Sequence, residues 1–471
     1  MYWPILIGSV AVCAALNLYS KQASKAESKG KSENDTKDAA TPEFRSFQRS
    51  WLSVYLLAMF SDWLQGPYVY ALYSSYGFSG SQIALLFVTG FASSMLIGTF
   101  VGALSDKYGR KRMCLLFAVL YTAAALTKLV NSFPVLLFGR LCSGVATSLL
   151  FSAFEAWMVS EHNRRGFPPA LLGDTFSKAT QGNGIVAVIA GLVASFAADS
   201  LGFAAPFVCA TGPLAVLALL VTGWEENYGN QTADIAGTMK TAWTTLTARK
   251  EIALLGAAQS IYEGAMYAFV FMWSPALIAT YTAAGADAAA TPVKIPFGVV
   301  FACFMVCVMI GSAVFALITA SHPVRVVPYL IHGGAAVAIL AAALCTSSTL
   351  LVFAAFLLFE ATCGMFWPAY GTLRSQHIPE ESRAGVSNIF RVPLNMLVLV
   401  ILFGSERMSA QTIFFICGAL HLVALGLYAA FDAAVAAKAK KEGAVKVAES
   451  AAPSKKTAAP AGARKPSTKA E

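Results

Sequence analysis

Acids, bases and amides lie where the surrounding sequence is apolar, and their spacing allows chemistry. Asp62 stands mid-run in WLSVYLLAMFSDWLQGPYVYALY (51–73), and Glu263, Glu360 and Glu155 lie within equally apolar runs at 252–280, 348–373 and 135–159. The bases Lys178, Arg391 and Arg140 lie within 175–198, 385–404 and 135–159. An ionised group at bilayer depth costs about 3 kcal/mol on insertion scales, so such residues turn toward a protein interior or a wet path. Helical spacing groups them further. Asp62 and Gln65 share a face, with Tyr68 at its edge; Gln259, Glu263 and Tyr267 share another. Arg391 pairs with Asn395, and Lys178 with Gln181, in the same way. Two uses fit: binding a charged solute with acids as proton carriers, or acid–base pairs that lock helices together. No Ser/His/Asp set, metal-ligand spacing or G-x-x-x-x-G-K-[ST] loop is present, so neither an enzyme, a cofactor nor a nucleotide-driven pump is expected.

The elements that position these groups are membrane helices. Hydrophobic residues make up 57% and charged residues 13%, against about 25% charged in soluble proteins. Apolar runs near 20 residues recur, the length that spans a bilayer as helix. About thirteen spans are expected: 2–19; then 51–73, 81–104, 113–131, 135–159, 175–198 and 203–223; then 252–280, 296–319, 326–346, 348–373, 385–404 and 411–432. The fold class expected is all-α: one N-terminal helix with a polar linker (1–50), a six-helix bundle (51–224), a linker (225–250), a second six-helix bundle (251–432) and a disordered basic tail (433–471). In the linker Ile235, Met239, Trp243 and Leu246 fall on one helix face beside Lys240, Arg249 and Lys250, which suits a helix lying on the membrane surface. The nine cysteines sit inside apolar spans and form no disulfide or zinc spacing.

Lys and Arg set the orientation. They crowd 20–50, DKYGRKR (106–112), Arg164-Arg165, 240–250, Arg325, Arg374, Arg383 and the tail, while alternate loops carry almost none, Lys294 and Arg407 excepted. The crowded side reads as cytosolic, which puts the N-terminus outside and the C-terminus inside, in the plasma membrane. The first helix then acts as an uncleaved anchor; a cleaved signal peptide is the alternative. The sequons at Asn34 and Asn230 fall on the cytosolic side and are expected to carry no glycan. The net charge of +9 lies in loops and tails and does not point to nucleic acid. Oligomeric state is not indicated.

The halves repeat. First helices carry Asp62 and Glu263; fourth helices carry Phe154-Glu155-Ala156 and Phe359-Glu360-Ala361; fifth helices carry Phe176-Ser177-Lys178 and Phe390-Arg391. Acid, acid, base occurs twice in the same order. Glu155 lies within reach of Arg110 or Arg165, and Arg140 suits either a solute contact or a stem that snorkels to the surface. His332, alone in an apolar span, reads as a core histidine. Gly66-Pro67 loosens the helix that carries Asp62.

Between the second and third helices of the first half lies GALSDKYGRKRM. It resembles the major facilitator signature G-x-L-x-D-x-x-G-R-K/R through Gly102, Asp106, Gly109, Arg110 and Lys111. Gly102 permits close helix approach, Gly109 a tight turn, and the Asp106–Arg110 pair a latch. The matching loop of the second half, ITASHPVRVV, lacks the aspartate and glycine. SDWLQGPYVYALY, LLFSAFEAWMVSEH, NIFRVPLNM and the extra N-terminal helix are similar to the molybdate-anion transporter family of that superfamily. The resemblance spans residues 1 to 432 and implies the two-bundle transporter fold and uptake of molybdate, with tungstate or sulfate as related cargo. It further implies donors for a tetrahedral dianion: Lys178 and Arg391 first, Arg140 as an outer contact, and Asn395, Gln65, Gln181, Tyr68 and Tyr267 around them. Asp62, Glu263, Glu360 and Glu155 would then carry protons or hold the bases until cargo arrives. Carriers of another anion or a sugar, and a sensor that binds without translocating, share the same pattern.

Overall fold

The computed structural model describes residues 1–27, 41–229, 235–283, 295–405 and 407–451. Asn34, Asn230 and Lys294 lie outside the described residues. Every regular element among them is helical. Helix α1 is Tyr2–Glu27. The first bundle comprises α2 (Pro42–Gln65), which continues through a 3-10 turn at Gly66–Tyr68 into α3 (Val69–Ser75), then α4 (Gly80–Tyr108) and α5 (Arg110–Thr127), α6 (Phe133–Leu150) with α7 (Ala153–Arg164), α8 (Pro169–Leu201) and α9 (Ala205–Thr222). Helix α10 (Ile235–Ala248) bridges to the second bundle: α11 (Lys250–Ala283), α12 (Phe297–Ser321), α13 (Val327–Leu344), α14 (Thr349–His377), α15 (Glu380–Gly404) and α16 (Ala410–Ala451). The order is the expected one helix, six passes and six passes.

Among the described residues 11 helices are long and apolar enough to cross a membrane. The first pass falls short because Asp62, Gln65 and Pro67 lie within it and Arg45 and Arg49 at its start, and α5 because Arg110, Lys111 and Arg112 occupy its basic end. The first pass starts at Pro42 rather than at 51, because Thr41 caps it by accepting from the Phe44 N–H and Pro42 fills the first turn, where no N–H is needed. The last helix does not stop at 432 but runs to Ala451. Lys438 of that extension donates to Glu251 at 2.9 Å, and Arg325 lies 4.0 Å from Asp432. The second-half loop therefore takes its acid from α16, having none of its own.

Below, the end of the molecule that carries DKYGRKR, Arg164-Arg165 and Arg325 is the basic end, and the opposite end is the far end. The bundles meet through α4 against α15 and α8 against α12. The second crossing is backbone-close near the far end: a Cβ on Gly298 would lie 2.1 Å from the Gly191 carbonyl oxygen, so nothing larger than glycine fits. Helix α1 precedes the first bundle in sequence but packs on α12 of the second. Tyr2 there bonds Tyr281 at 3.1 Å and stands edge-on to Phe353, and Cys13 is buried. All nine cysteines are free thiols, and Cys303 and Cys307 are core packing residues as expected.

Candidate functional site

The 3-10 turn at Gly66–Tyr68 interrupts the first pass where Pro67 withholds its N–H. Just before it, Asp62 and Gln65 point from one face toward α5. Tyr121 donates a very short hydrogen bond to Asp62, and Gln65 accepts from Lys128 Nζ at 3.3 Å. Lys128 is buried; it also donates to the Ala124 carbonyl at 3.1 Å and lies over the Phe207 ring at 4.9 Å. Arg140 comes down from α6 beside it. Its Nε donates to the Leu86 carbonyl at 3.0 Å, its guanidinium covers Phe87 at 5.0 Å, and Gly90 leaves the notch it fills, since a Cβ there would sit 2.6 Å from Nη2. Arg140 therefore points into the bundle rather than snorkelling to the surface.

The second bundle builds its half on α11, α14 and α15. Gln259 donates to Glu263 at 2.7 Å, one turn apart on α11. Arg374 and Arg391 both act on the Glu263 carboxyl through space, and neither closes an ion pair with it. Asn395 donates to the Arg391 carbonyl at 2.6 Å. Tyr267 lies where the halves face each other. Its ring meets Phe91 of α4 at 5.1 Å, and Glu263, Arg391 and Asp62 lie around it. Glu360 is buried on α14 near Tyr262, Cys307 and Cys363 and has no hydrogen-bond partner among the described residues. Four bases thus project toward the interior without an ion pair among the described residues: Lys128, Arg140, Arg374 and Arg391.

Several expected contacts fall elsewhere. Tyr68 does not reach toward the site; its buried hydroxyl donates to Ser195 at 3.4 Å and accepts from the Gly298 N–H at 3.3 Å, which ties the bundles at the far end. Tyr70 and Phe87 close on Phe271 above it. Lys178 sits half-exposed toward the basic end and is already engaged, donating to Asp174 at 2.7 Å and to Gln48 at 2.9 Å. Gln181 is exposed and bonds Ser177. Glu155 is exposed and meets neither Arg110 nor Arg165, because Asp106 holds Arg110 and the fully buried Glu161 holds Arg164 and Arg165. His332 bonds Tyr370 through Nε2 at 2.6 Å, as a core histidine does.

The loop GALSDKYGRKRM is clasped from a distance. Arg110 forks onto Asp106 at 2.7 and 3.0 Å, and Gly109 turns the chain at φ 102°. Glu226, beyond the sixth pass, accepts from the Lys111 and Arg112 N–H groups at 2.8 and 3.2 Å, satisfying the start of α5 where a carboxylate is favoured. Lys111 Nζ reaches the Thr222 carbonyl, and Trp224 stacks on Trp157 at 3.8 Å. Gly102, expected to permit a close helix approach, has nothing within 4 Å of a Cβ placed there, so no helix is drawn against it. At the far end the bundles are tied through Tyr68 and the Gly191–Gly298 crossing.

The two bundles, the glycine-lined crossing and the clasped loop define a membrane transporter of the major facilitator class, a carrier rather than an enzyme. A family profile described as sugar transporters with 12 transmembrane segments matches residues 1–362. The molybdate-anion transporter of Xenopus tropicalis is 35% identical over 89% of this chain and 92% of its own, and that of Takifugu rubripes 36% over 83% and 84%. The chain belongs to the molybdate-anion transporter family of the major facilitator superfamily. Solved structures support the fold. A variant of the nucleoside transporter NupG superposes with TM-score 0.67 at 12% identity over 81% of this chain and 99% of its own, and a D-xylose-proton symporter with 0.62 at 13% over 82% and 97%.

Proposed function

We propose that this chain imports molybdate across the plasma membrane by alternating access, coupled to protons, with the basic end cytosolic and the N-terminus outside. The observation that carries the reading is the set of four bases, Lys128, Arg140, Arg374 and Arg391, that face between the bundles with no ion pair among the described residues. Of these Lys128 is buried, where a cation is costly unless paired, and a dianion passing between the bundles supplies the missing charge. Tetrahedral oxygens suit the forks of Arg140, Arg374 and Arg391. Gln65, Tyr267 and Asn395 add neutral donors, and Lys178 with Gln181 serves the cytosolic mouth. Asp62, Glu263 and Glu360 carry the protons, and Glu155 sits at the exit. The arrangement described, far end tied and Gly102 uncovered, corresponds to the state open to the cytosol. In the opposite state the helices close over Gly102 while Tyr68 releases Ser195 and Gly298.

A neutral sugar, the cargo in the family profile's description, has no need of four bases. The test is a stability screen of purified protein with molybdate, tungstate, sulfate, phosphate and xylose, followed by counterflow of labelled solute in proteoliposomes. A ligand that binds only the folded state raises stability by RT ln(1 + [L]/Kd). Molybdate and tungstate are expected to raise the melting temperature and molybdate to drive counterflow. Stabilisation by xylose alone would replace the oxyanion with a sugar, and binding without counterflow would make the protein a sensor.

A further inference from the structure

We propose that the crevice between α10, α11, α15 and α16 holds one acyl chain of an anionic glycerophospholipid drawn from the cytosolic leaflet. The crevice encloses about 390 Å³, close to the volume of a single fatty chain, and its lining is almost wholly apolar, including Leu246, Ala257, Ile389, Pro393, Leu397 and Leu420. It lies on the side of α15 away from the solute site. Ile389, Phe390, Pro393 and Leu397 fall on one helix face, while Arg391 and Asn395 fall on another at 100° per residue. The neighbouring face carries exposed Val392, Met396, Val400 and Phe403, the side a bilayer covers. Lipid therefore has direct entry.

The headgroup end is basic. Helix α10 closes the crevice through Leu246 and Ala242 against Ile252, Ile378, Val386 and Phe390, leaving Trp243 exposed at the rim, as an interfacial helix does. Arg249 and Lys250 are exposed at the junction of α10 and α11, and neither is in an ion pair among the described residues. Arg383 lies about two turns from Phe390 on the same side of α15 and reaches only the Ser375 and Ile378 carbonyls, so its charge is also unneutralised. Juxtamembrane bases of this kind favour anionic headgroups by about 1 kcal/mol each, and a zwitterionic lipid leaves them unmet. An apolar slot with cations at its cytosolic lip is complementary to one lipid class.

The inference rests on the orientation proposed above, with the basic end cytosolic, and not on what is transported. Full-length protein is reconstituted in phosphatidylcholine vesicles doped with photoactivatable phosphatidylserine, or photoactivatable phosphatidylcholine, bearing the reactive group near the acyl terminus. Cross-linked peptides are then mapped by mass spectrometry. The expected result is labelling of 253–261 and 389–397 that is at least fivefold stronger with the serine lipid. The double change Arg249→Gln and Lys250→Gln, outside the packed core, is expected to abolish that preference. Ala253→Trp, which fills the slot from its exposed rim, is expected to remove labelling by both lipids. Equal labelling by the two lipids, or a preference that survives the double change, overturns the proposal. So does labelling undiminished by Ala253→Trp; should that variant misfold, the double change alone decides.

Discussion

The two bundles carry the same order of acid, acid and base in their sequences, yet they present different charges to the space between them. In the first bundle one carboxyl, Asp62, is held by Tyr121, while Lys128 and Arg140 have only carbonyls, an amide and aromatic rings for company. In the second, two carboxyls are buried, Glu263 beneath Gln259 and Glu360 with no hydrogen-bond partner among the described residues, and neither Arg374 nor Arg391 closes an ion pair among them. Duplication preserved the helices that carry charge and not the environments. We read the difference as one of emphasis, with both bundles offering bases to the anion and the second supplying two of the three carboxyls that pair its arrival with protons.

The largest effect tests whether protons are needed at all. Importing a dianion against a potential negative inside costs about 2.3 kcal/mol per charge per 100 mV, roughly 4.6 kcal/mol for two charges. That opposes accumulation more than a thousandfold at about 1.4 kcal/mol per decade. Two protons cancel the charge and three reverse it. A protonophore is therefore expected to abolish accumulation in vesicles, and uptake is expected to quicken as external pH falls from about 7.5 to about 5.5, since protonated carboxyls load on that side. Glu263→Gln should stop accumulation and leave molybdate exchange intact. Accumulation that persists without proton or sodium gradients would return the second bundle's acids to a structural role.

Next come the arginines, one from each bundle. Arg140→Ala and Arg391→Ala are each expected to weaken molybdate binding by about ten- to a hundredfold, since a hydrogen bond to a charged group contributes about 1.5–3 kcal/mol. Calorimetric titration of purified protein measures it. Lys178→Ala should cost less, because Asp174 and Gln48 already occupy that amine and half of it is exposed. If Lys178→Ala proves the more damaging, the site lies nearer the basic end than the interior bases indicate.

Lys128 sharpens the comparison and shows where the sequence stops being legible. The passes and the grouping of Asp62 with Gln65 and of Glu263 with Gln259 follow from apolar length and helical spacing, and the Asp106–Arg110 pair from the loop signature. Lys128 does not: near the end of its span it reads as a residue that snorkels, and only Gln65 and Phe207, far away in sequence, make it interior. The same limit hid Glu226, which reaches a loop 115 residues earlier, and Arg374, whose relation to Glu263 needs two helices packed side by side. Spacing alone sets Tyr68 at the edge of the Asp62 and Gln65 face, whereas after the 3-10 turn its partners belong to other passes. Lys128→Met is expected to weaken molybdate binding about tenfold while leaving the melting temperature equal or higher, since an apolar side chain of similar volume replaces a buried charge at little or no cost. A lowered melting temperature with unchanged affinity would make Lys128 a structural residue.

The smallest effect concerns the seam that both bundles share. Tyr68 contributes one hydroxyl to two long hydrogen bonds, 3.4 Å to Ser195 and 3.3 Å from the Gly298 N–H, and its ring packs against Phe203 and edge-on to Phe297. Tyr68→Phe removes the bonds and keeps the ring. A buried hydrogen bond contributes about 1 kcal/mol net, so the balance between far-end-closed and far-end-open states should move about fivefold toward opening. Spin labels placed across the far end, one on each bundle, read that balance as the fraction at the longer distance. The glycine crossing of α8 and α12 depends on backbone contact and is untouched by the change, so the closed state should remain populated. An unaltered distance distribution would assign the seal to the rings and the glycines and leave the hydroxyl no part in gating.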